Sequence, residues 1–131
     1  MEKMISQTTK GVKVTVKTEY EGNFFKTKKV SYAFSYTITI ENVSDHYVQV
    51  KGRFWEIYDS LNSAKVVHGE GVVGEQPIIE PGSKYTYSSG CVLNSPLGGM
   101  KGFYEVMNMS TNRFFNVEIP SFKLSAPFVL N

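Results

Sequence analysis

Apolar and polar residues alternate along most of this chain with a period of two. Val12, Val14 and Val16 are separated by Lys13, Thr15 and Lys17, the pattern of a strand with one face buried and the other in water. Tyr32, Phe34, Tyr36, Ile38 and Ile40 repeat it, with Ala33, Ser35, Thr37 and Thr39 on the opposite parity. After a polar turn at Asn42 to His46, Val48 and Val50 open a third strand. Its parity changes beyond Gly52, because Trp55 and Ile57 occupy odd positions, and a β-bulge near Gly52 or Arg53 reconciles the two halves. Asp59 to Ser63 reads as a turn and Lys65 to His68 as a resumed strand.

Further on, Glu80-Pro81-Gly82-Ser83 is a turn signal, since Pro presets φ and Gly accepts a positive φ. Tyr85 and Tyr87 mark a strand, and Asn94 to Gly99 reads as an irregular loop. Phe103 to Met107 and Phe114 to Ile119, joined at Ser110-Thr111-Asn112, read as a hairpin. Phe122 and Leu124 keep the inward parity past Pro120, so this strand is expected to bend there rather than stop. No window carries a sustained helical period. Seven or more strands spaced by turns predict one all-β domain over residues 1–131, an antiparallel sandwich. Two features narrow it to the immunoglobulin/fibronectin-III-like class. The single Trp, Trp55, lies in the third strand, and Gly102-Phe103-Tyr104-Glu105-Val106 resembles a tyrosine corner that the Tyr104 hydroxyl would close.

Composition excludes several functions. With 41% hydrophobic and 20% charged residues the chain can bury a sizeable core without a disulfide or metal. A net charge of +2 gives no ground for nucleic-acid binding, and the one basic cluster, Lys26-Thr27-Lys28-Lys29, reads as a solvated loop. Cys91 is the only cysteine, so no intrachain disulfide forms. The opening MEKMISQTTKG lacks the apolar core of a signal peptide, and no apolar run reaches the length of a membrane span. A cytoplasmic protein without membrane insertion is expected.

The densest chemistry is Gly69 to Cys91. Gly69, Gly71 and Gly74 have the spacing G-x-G-x-x-G, which cradles a pyrophosphate when a helix begins there. Here the motif sits among strand signals, Pro77 follows closely, Glu70 and Glu75 bring negative charge, and no P-loop lysine is present. The glycines are therefore expected to bend a β backbone, with a phosphate nest as the alternative. His68, Glu70, Glu75 and Asp59 lack metal-ligand spacing, so no metal or other cofactor is expected. Cys91 would need a base brought to it by the fold, His68 being the candidate, and Ser88 and Ser89 lack the nucleophile-elbow context. No catalytic residue emerges. The apolar residues Ile78, Ile79, Val92, Leu93, Leu97, Met100, Met107 and Met109 lie in or beside expected loops and strand ends, where an exposed cluster would mark a partner surface.

Several runs resemble the ApaG family. They are Val72-Val73-Gly74-Glu75-Gln76-Pro77, Ile79-Glu80-Pro81-Gly82 and Tyr87-Ser88-Ser89-Gly90-Cys91, followed by Ser95-Pro96-Leu97-Gly98, Met100-Lys101-Gly102-Phe103-Tyr104 and Phe115 to Leu124. The resemblance implies a small cytoplasmic bacterial protein with a fibronectin-type-III-like sandwich and no assigned catalytic residue. It also implies protein recognition and an association with cobalt and magnesium efflux. The chain departs from the family pattern at Phe54, where relatives often carry His, and at Glu70, where they often carry Pro.

The expectation is a non-enzymatic protein-interaction or regulatory module. Its partner surface would comprise Val72, Val73, Glu75, Gln76, Leu97 and Met100, with edge strands able to add a peptide or form a homodimer. The alternatives are a phosphate or nucleotide binder at Gly69, Gly71 and Gly74, and an accessory factor in cobalt and magnesium efflux.

Overall fold

A computed structural model describes residues 3–129. Among them run nine strands: β1 (Lys3–Thr9), β2 (Val12–Lys26), β3 (Lys29–Asn42), β4 (Val48–Asp59), β5 (Asn62–Glu70), β6 (Ile78–Ile79), β7 (Lys84–Leu93), β8 (Leu97–Asn108) and β9 (Arg113–Ser125). They form two antiparallel sheets, ordered β1-β2-β3-β7 and β5-β4-β8-β9, with β6 added to β4. This is the expected all-β sandwich of the immunoglobulin/fibronectin-III-like class. Among the described residues no helix is long and apolar enough to cross a membrane.

The alternating residues face each other across the two sheets. Val12, Val14, Val16, Phe34, Ile38 and Ile40 of the first sheet and Val50, Tyr104, Val106, Val117, Ile119 and Leu124 of the second are all buried. Trp55 is buried too, and it closes an aromatic triangle with Tyr36 (5.7 Å) and Phe122 (5.9 Å). The parity change in β4 is a bulge. Val50 pairs Val106 and Gly52 pairs Glu105, which leaves Lys51 as the extra residue. β9 continues past Pro120 to Ser125, with its register shifted between Ile119 and Phe122. Pro120 falls in the bulge at that shift, where no ladder donor is required of it.

Three expectations need correction. The strand at Val12 is the second, because Lys3–Thr9 precedes it and pairs along Val12–Thr18 through a turn at Lys10 and Gly11, both with positive φ. The irregular loop shrinks to three residues, Asn94 to Pro96, because Leu97–Gly99 already pair with Asp59, Tyr58 and the end of β9. The hydroxyl of Tyr104 does not close a corner onto nearby backbone but bonds the hydroxyl of Tyr87 across the sandwich. Burial pushes both phenols up, and both stay protonated.

Asp59 pins the turn between β4 and β5 to the loop before β8. It accepts from the Leu61 N–H (3.1 Å), Asn62 Nδ2 (3.1 Å), the Asn94 N–H (2.7 Å) and the buried Ser95 hydroxyl (2.8 Å). Partial burial pushes its carboxyl up, but these hydrogen bonds outweigh that and hold it below the usual carboxylate range. A lowered folded-state pKa adds stability above the unfolded value of about 3.9, and that stability is lost as pH falls through the folded-state value. Asp59→Ala is expected to cost about 1–2 kcal/mol at pH 7 through the lost hydrogen bonds. The stability difference from wild type should shrink below pH ~4 in urea titrations, and a difference that stays constant with pH would refute this role.

Candidate functional site

The glycine segment begins as strand. Gly69 sits opposite Arg53 on the inward parity of β4 and β5. A Cβ on Gly69 would lie 3.0 Å from the Arg53 guanidinium carbon, so the missing side chain lets that group lie flat against the backbone. Arg53 Nη1 then donates to the carbonyls of Glu70 (2.8 Å) and Gly71 (3.0 Å). At Gly71 the chain turns with φ +58°, and its N–H donates to the Lys51 carbonyl at 2.8 Å. A Cβ there would meet the Glu75 carbonyl oxygen at 1.9 Å.

Beyond Gly71 the backbone closes a miniature hairpin. The Val72 N–H donates to the Glu75 carbonyl (2.7 Å) and the Glu75 N–H to the Val72 carbonyl (2.9 Å). The two residues between them, Val73 and Gly74, have φ of 47° and 80°, the pair of positive angles a type I′ turn requires. Gln76 Nε2 donates to the Lys51 carbonyl (3.1 Å) and Gln49 Nε2 to the Gln76 carbonyl (3.0 Å). The Tyr85 hydroxyl donates to Glu75 Oε2 at 2.8 Å. The hairpin thus leaves the edge of β4 between β5 and β6, and β6, not a helix, follows it.

This geometry bends a β backbone, and it is poorly shaped for an anion. A phosphate nest aims several N–H groups at one point in solvent. Here the N–H groups of Gly71, Val72 and Glu75 are spent on carbonyls. The Glu70 and Gly71 carbonyls turn toward Arg53, whose positive charge they share between them. Arg53 organises the segment, and its one sign in the sequence is a cation at the same parity as Trp55; its place opposite Gly69 is set by the register.

Of the expected partner-surface residues, Val73, Glu75 and Gln76 are exposed around the hairpin. Val72 and Met100 are not surface residues. Val72 is wholly buried as the hairpin's anchor because the turn at Gly71 breaks the parity of β5, and Met100 lies in the core because it falls on the inward parity of β8. Leu97 is half-buried on β8. Ile79 and Leu93 are core, whereas Ile78 and Val92 are exposed.

The candidate chemistry does not assemble. His68 points to the outer face of the second sheet, where Nε2 lies 3.3 Å from Glu105 Oε1. Cys91 lies opposite the core residue Phe34 in the other sheet, and burial pushes its thiol up although the charge of Lys65 draws it down. Nucleophile and base are therefore on different layers. Asp59 is engaged at its turn and Glu75 by Tyr85. Among the described residues no three His, Cys, Asp or Glu side chains converge.

The two outer faces of the sandwich differ in character. On the first sheet, hydroxyls pair across strands: Thr37 with Ser88 (2.8 Å) and Thr39 with Thr86 (3.1 Å), and Ser35 donates to Glu21. On the second sheet Phe54 stacks on Phe103, centroids 5.1 Å apart and planes 15° from parallel, with the His68 ring 6.2 Å away. On one side Val66 stands beside Glu56 and Lys101, then Tyr58; on the other, beyond Glu105 and Asn116, stands the row Ile78, Gln49, Met107 and Phe114. Val66, Ile78 and Phe114 are each more than half exposed, at 58%, 56% and 61%.

Known proteins place the chain. Residues 23–108 match the family model described as ApaG domain. Among curated proteins it is 47% identical to Protein ApaG of Shewanella sediminis, over 92% of this chain and 94% of that one. It is 40% identical to Protein ApaG of Proteus mirabilis, over 95% and 98%. An X-ray structure of a Northeast Structural Genomics Consortium target superposes with a TM-score of 0.86 at 40% identity, covering 92% of this chain and 90% of that one. With the family model and these relatives in agreement over most of its length, the chain belongs to the ApaG domain family.

Proposed function

We propose that the protein is a non-enzymatic binding module that recognises a protein partner through the outer face of its second sheet. The carrying observation is the contrast between the two outer faces. The outward positions of β3 and β7 at the centre of the first sheet are Thr37, Thr39, Thr86 and Ser88, with Val92 and Met4 exposed nearer its ends. The second sheet instead turns out Phe54, Phe103, Val66, Met107, Ile78 and Phe114 among Glu56, Lys101 and Glu105. Rigid aromatics on a strand ladder provide large contact area at low entropic cost, the usual anchors of an interface. Val73, at the hairpin tip on the edge of the same sheet, is 60% exposed and extends the surface. A non-enzymatic role is supported by the separation of His68 from Cys91 and by the raised thiol pKa.

Site-specific photocrosslinking in the native cell tests this. A benzophenone side chain at Phe103 is expected to give one discrete adduct, and the same group at Thr37 on the hydroxyl-lined face none. An adduct with the mass of two chains would make the partner a second copy. Equal adduct patterns from both positions, or none from Phe103, would refute the assignment. A parallel amide titration with ATP should leave Gly71, Val72 and Glu75 unmoved, since their N–H groups are already bonded.

A further inference from the structure

The β2–β3 hairpin runs past the end of the sheet that faces it. A bulge at Glu21, with Gly22 at φ 121°, switches the parity of β2, so that Phe25 rather than Phe24 pairs with Val30 on the core side. Tyr32 and Phe34, on that same side of β3, are covered progressively, but nothing faces Phe25 or Val30 fully: they remain 72% and 41% exposed. From the other sheet the β4–β5 turn offers Leu61, 71% exposed. Val30, Lys29, Leu61, Asn62 and Asn94 together line a groove of about 390 Å³. Its outer rim is the hairpin tip, where Lys26 and Lys29 pair around Thr27 and Lys28, both at positive φ.

We infer that this groove docks an acidic peptide segment bearing apolar side chains. Charge complementarity selects the occupant. Lys29 lines the groove, and exposed Lys26 and Lys28 stand beside it at the hairpin tip. Asp59 keeps its charge, but four hydrogen bonds from Leu61, Asn62, Asn94 and Ser95 hold its carboxylate within its own turn, and Glu21 lies behind the bulge, bonded to Ser35. A chain with alternating Asp or Glu and Leu or Phe could rest apolar side chains on Phe25, Val30 and Leu61 and direct its carboxylates to the lysines. A membrane fits less well. A bilayer needs the apolar residues deeper than the cations, yet here the lysines occupy the tip and the phenylalanines lie behind them. The inference is independent of the aromatic outer face, which belongs to different rungs of the other sheet.

Fluorescence anisotropy with a labelled peptide alternating Glu and Leu tests it on the full chain. Saturable binding with Kd of about 10–100 μM is expected, weakening about tenfold between 0.1 and 0.5 M salt. Amide shifts should centre on Val30, Leu61 and Asn62. Lys28→Glu combined with Lys29→Glu should weaken binding by more than about tenfold, and so should Phe25→Ser combined with Leu61→Ser. All four residues are exposed, so thermal melts should not change. No saturation at about 1 mM, equal binding of a Lys–Leu peptide, or shifts centred on His68 and Phe103 would overturn the inference. Binding to phosphatidylserine vesicles without binding to the peptide would also overturn it, in favour of a lipid surface.

Discussion

Gly102→Ala is expected to remove a large share of the protein's stability. A Cβ at this position would stand 1.9 Å from the carbonyl oxygen of Phe54, 3.0 Å from its carbon and 3.2 Å from the Cα of Trp55. All three atoms are backbone of β4, the central strand paired with β8, so no flexible side chain can yield. Reaching ordinary contact would open the rung by about 1.5 Å, in a ladder flanked by Trp55 and Tyr104. Overpacking a core typically costs about 1–3 kcal/mol, and strain carried by backbone on both sides puts this case at about 3 kcal/mol or more. Against a typical domain stability of about 5–15 kcal/mol this should appear as a large drop in urea midpoint, or as loss of soluble protein. Gly90→Ala is the control, since its Cβ meets only the Phe34 carbonyl oxygen at 3.3 Å. A Gly102→Ala midpoint indistinguishable from that of Gly90→Ala would show that the ladder can relax and would defeat the prediction.

Asn42→Ala is the second substitution with a large expected effect. Asn42 is wholly buried at the end of β3 and joins three segments. Its Nδ2 donates to the carbonyls of His46 (2.7 Å) and Ile79 (2.9 Å). Its Oδ1 accepts from the Ser44 N–H (3.0 Å) and hydroxyl (2.6 Å). Its backbone N–H and carbonyl pair with Ser83 and Gly82 of the turn between β6 and β7. Truncation leaves the carbonyl of buried Ile79 without its side-chain donor and frees the turn into β4. An unsatisfied buried polar group costs about 1–3 kcal/mol, and the lost turn bonds bring the total to about 3 kcal/mol. Calorimetry should show a Tm lower by about 10 °C. A loss below about 1 kcal/mol would mean that water replaces these bonds freely.

Neither effect could be read from the chain alone. Gly102 entered the sequence reading as the first residue of an apparent tyrosine corner, and Asn42 as the start of a polar turn. What makes each indispensable is an atom far away in sequence, the Phe54 carbonyl in one case and the Ile79 carbonyl in the other. The bulge in β4, the burial of Trp55 and the passage of β9 beyond Pro120 were legible, because each breaks or sustains a two-residue period within a few positions. The glycine hairpin was legible as a β feature for a similar reason, since strand signals and Pro77 leave no room for a helix. β1 was not legible. Met4 and Ile5 are adjacent rather than alternating, both are exposed, and the strand exists through its ladder with β2.

The amino-acid pattern by itself determined the class of fold, the direction most side chains face, and membership of a family, since alternation and motif spacing are local and survive without knowing what lies opposite. The tertiary structure alone decided that Val72 and Met100 are core, that Tyr104 meets Tyr87, and that Arg53 occupies the glycine segment. It also decided which outward face became aromatic and which hairpin outran its cover. The physical reason is that burial, satisfaction of polar groups and charge environment are properties of pairs across layers, and sequence order does not record which pairs will meet.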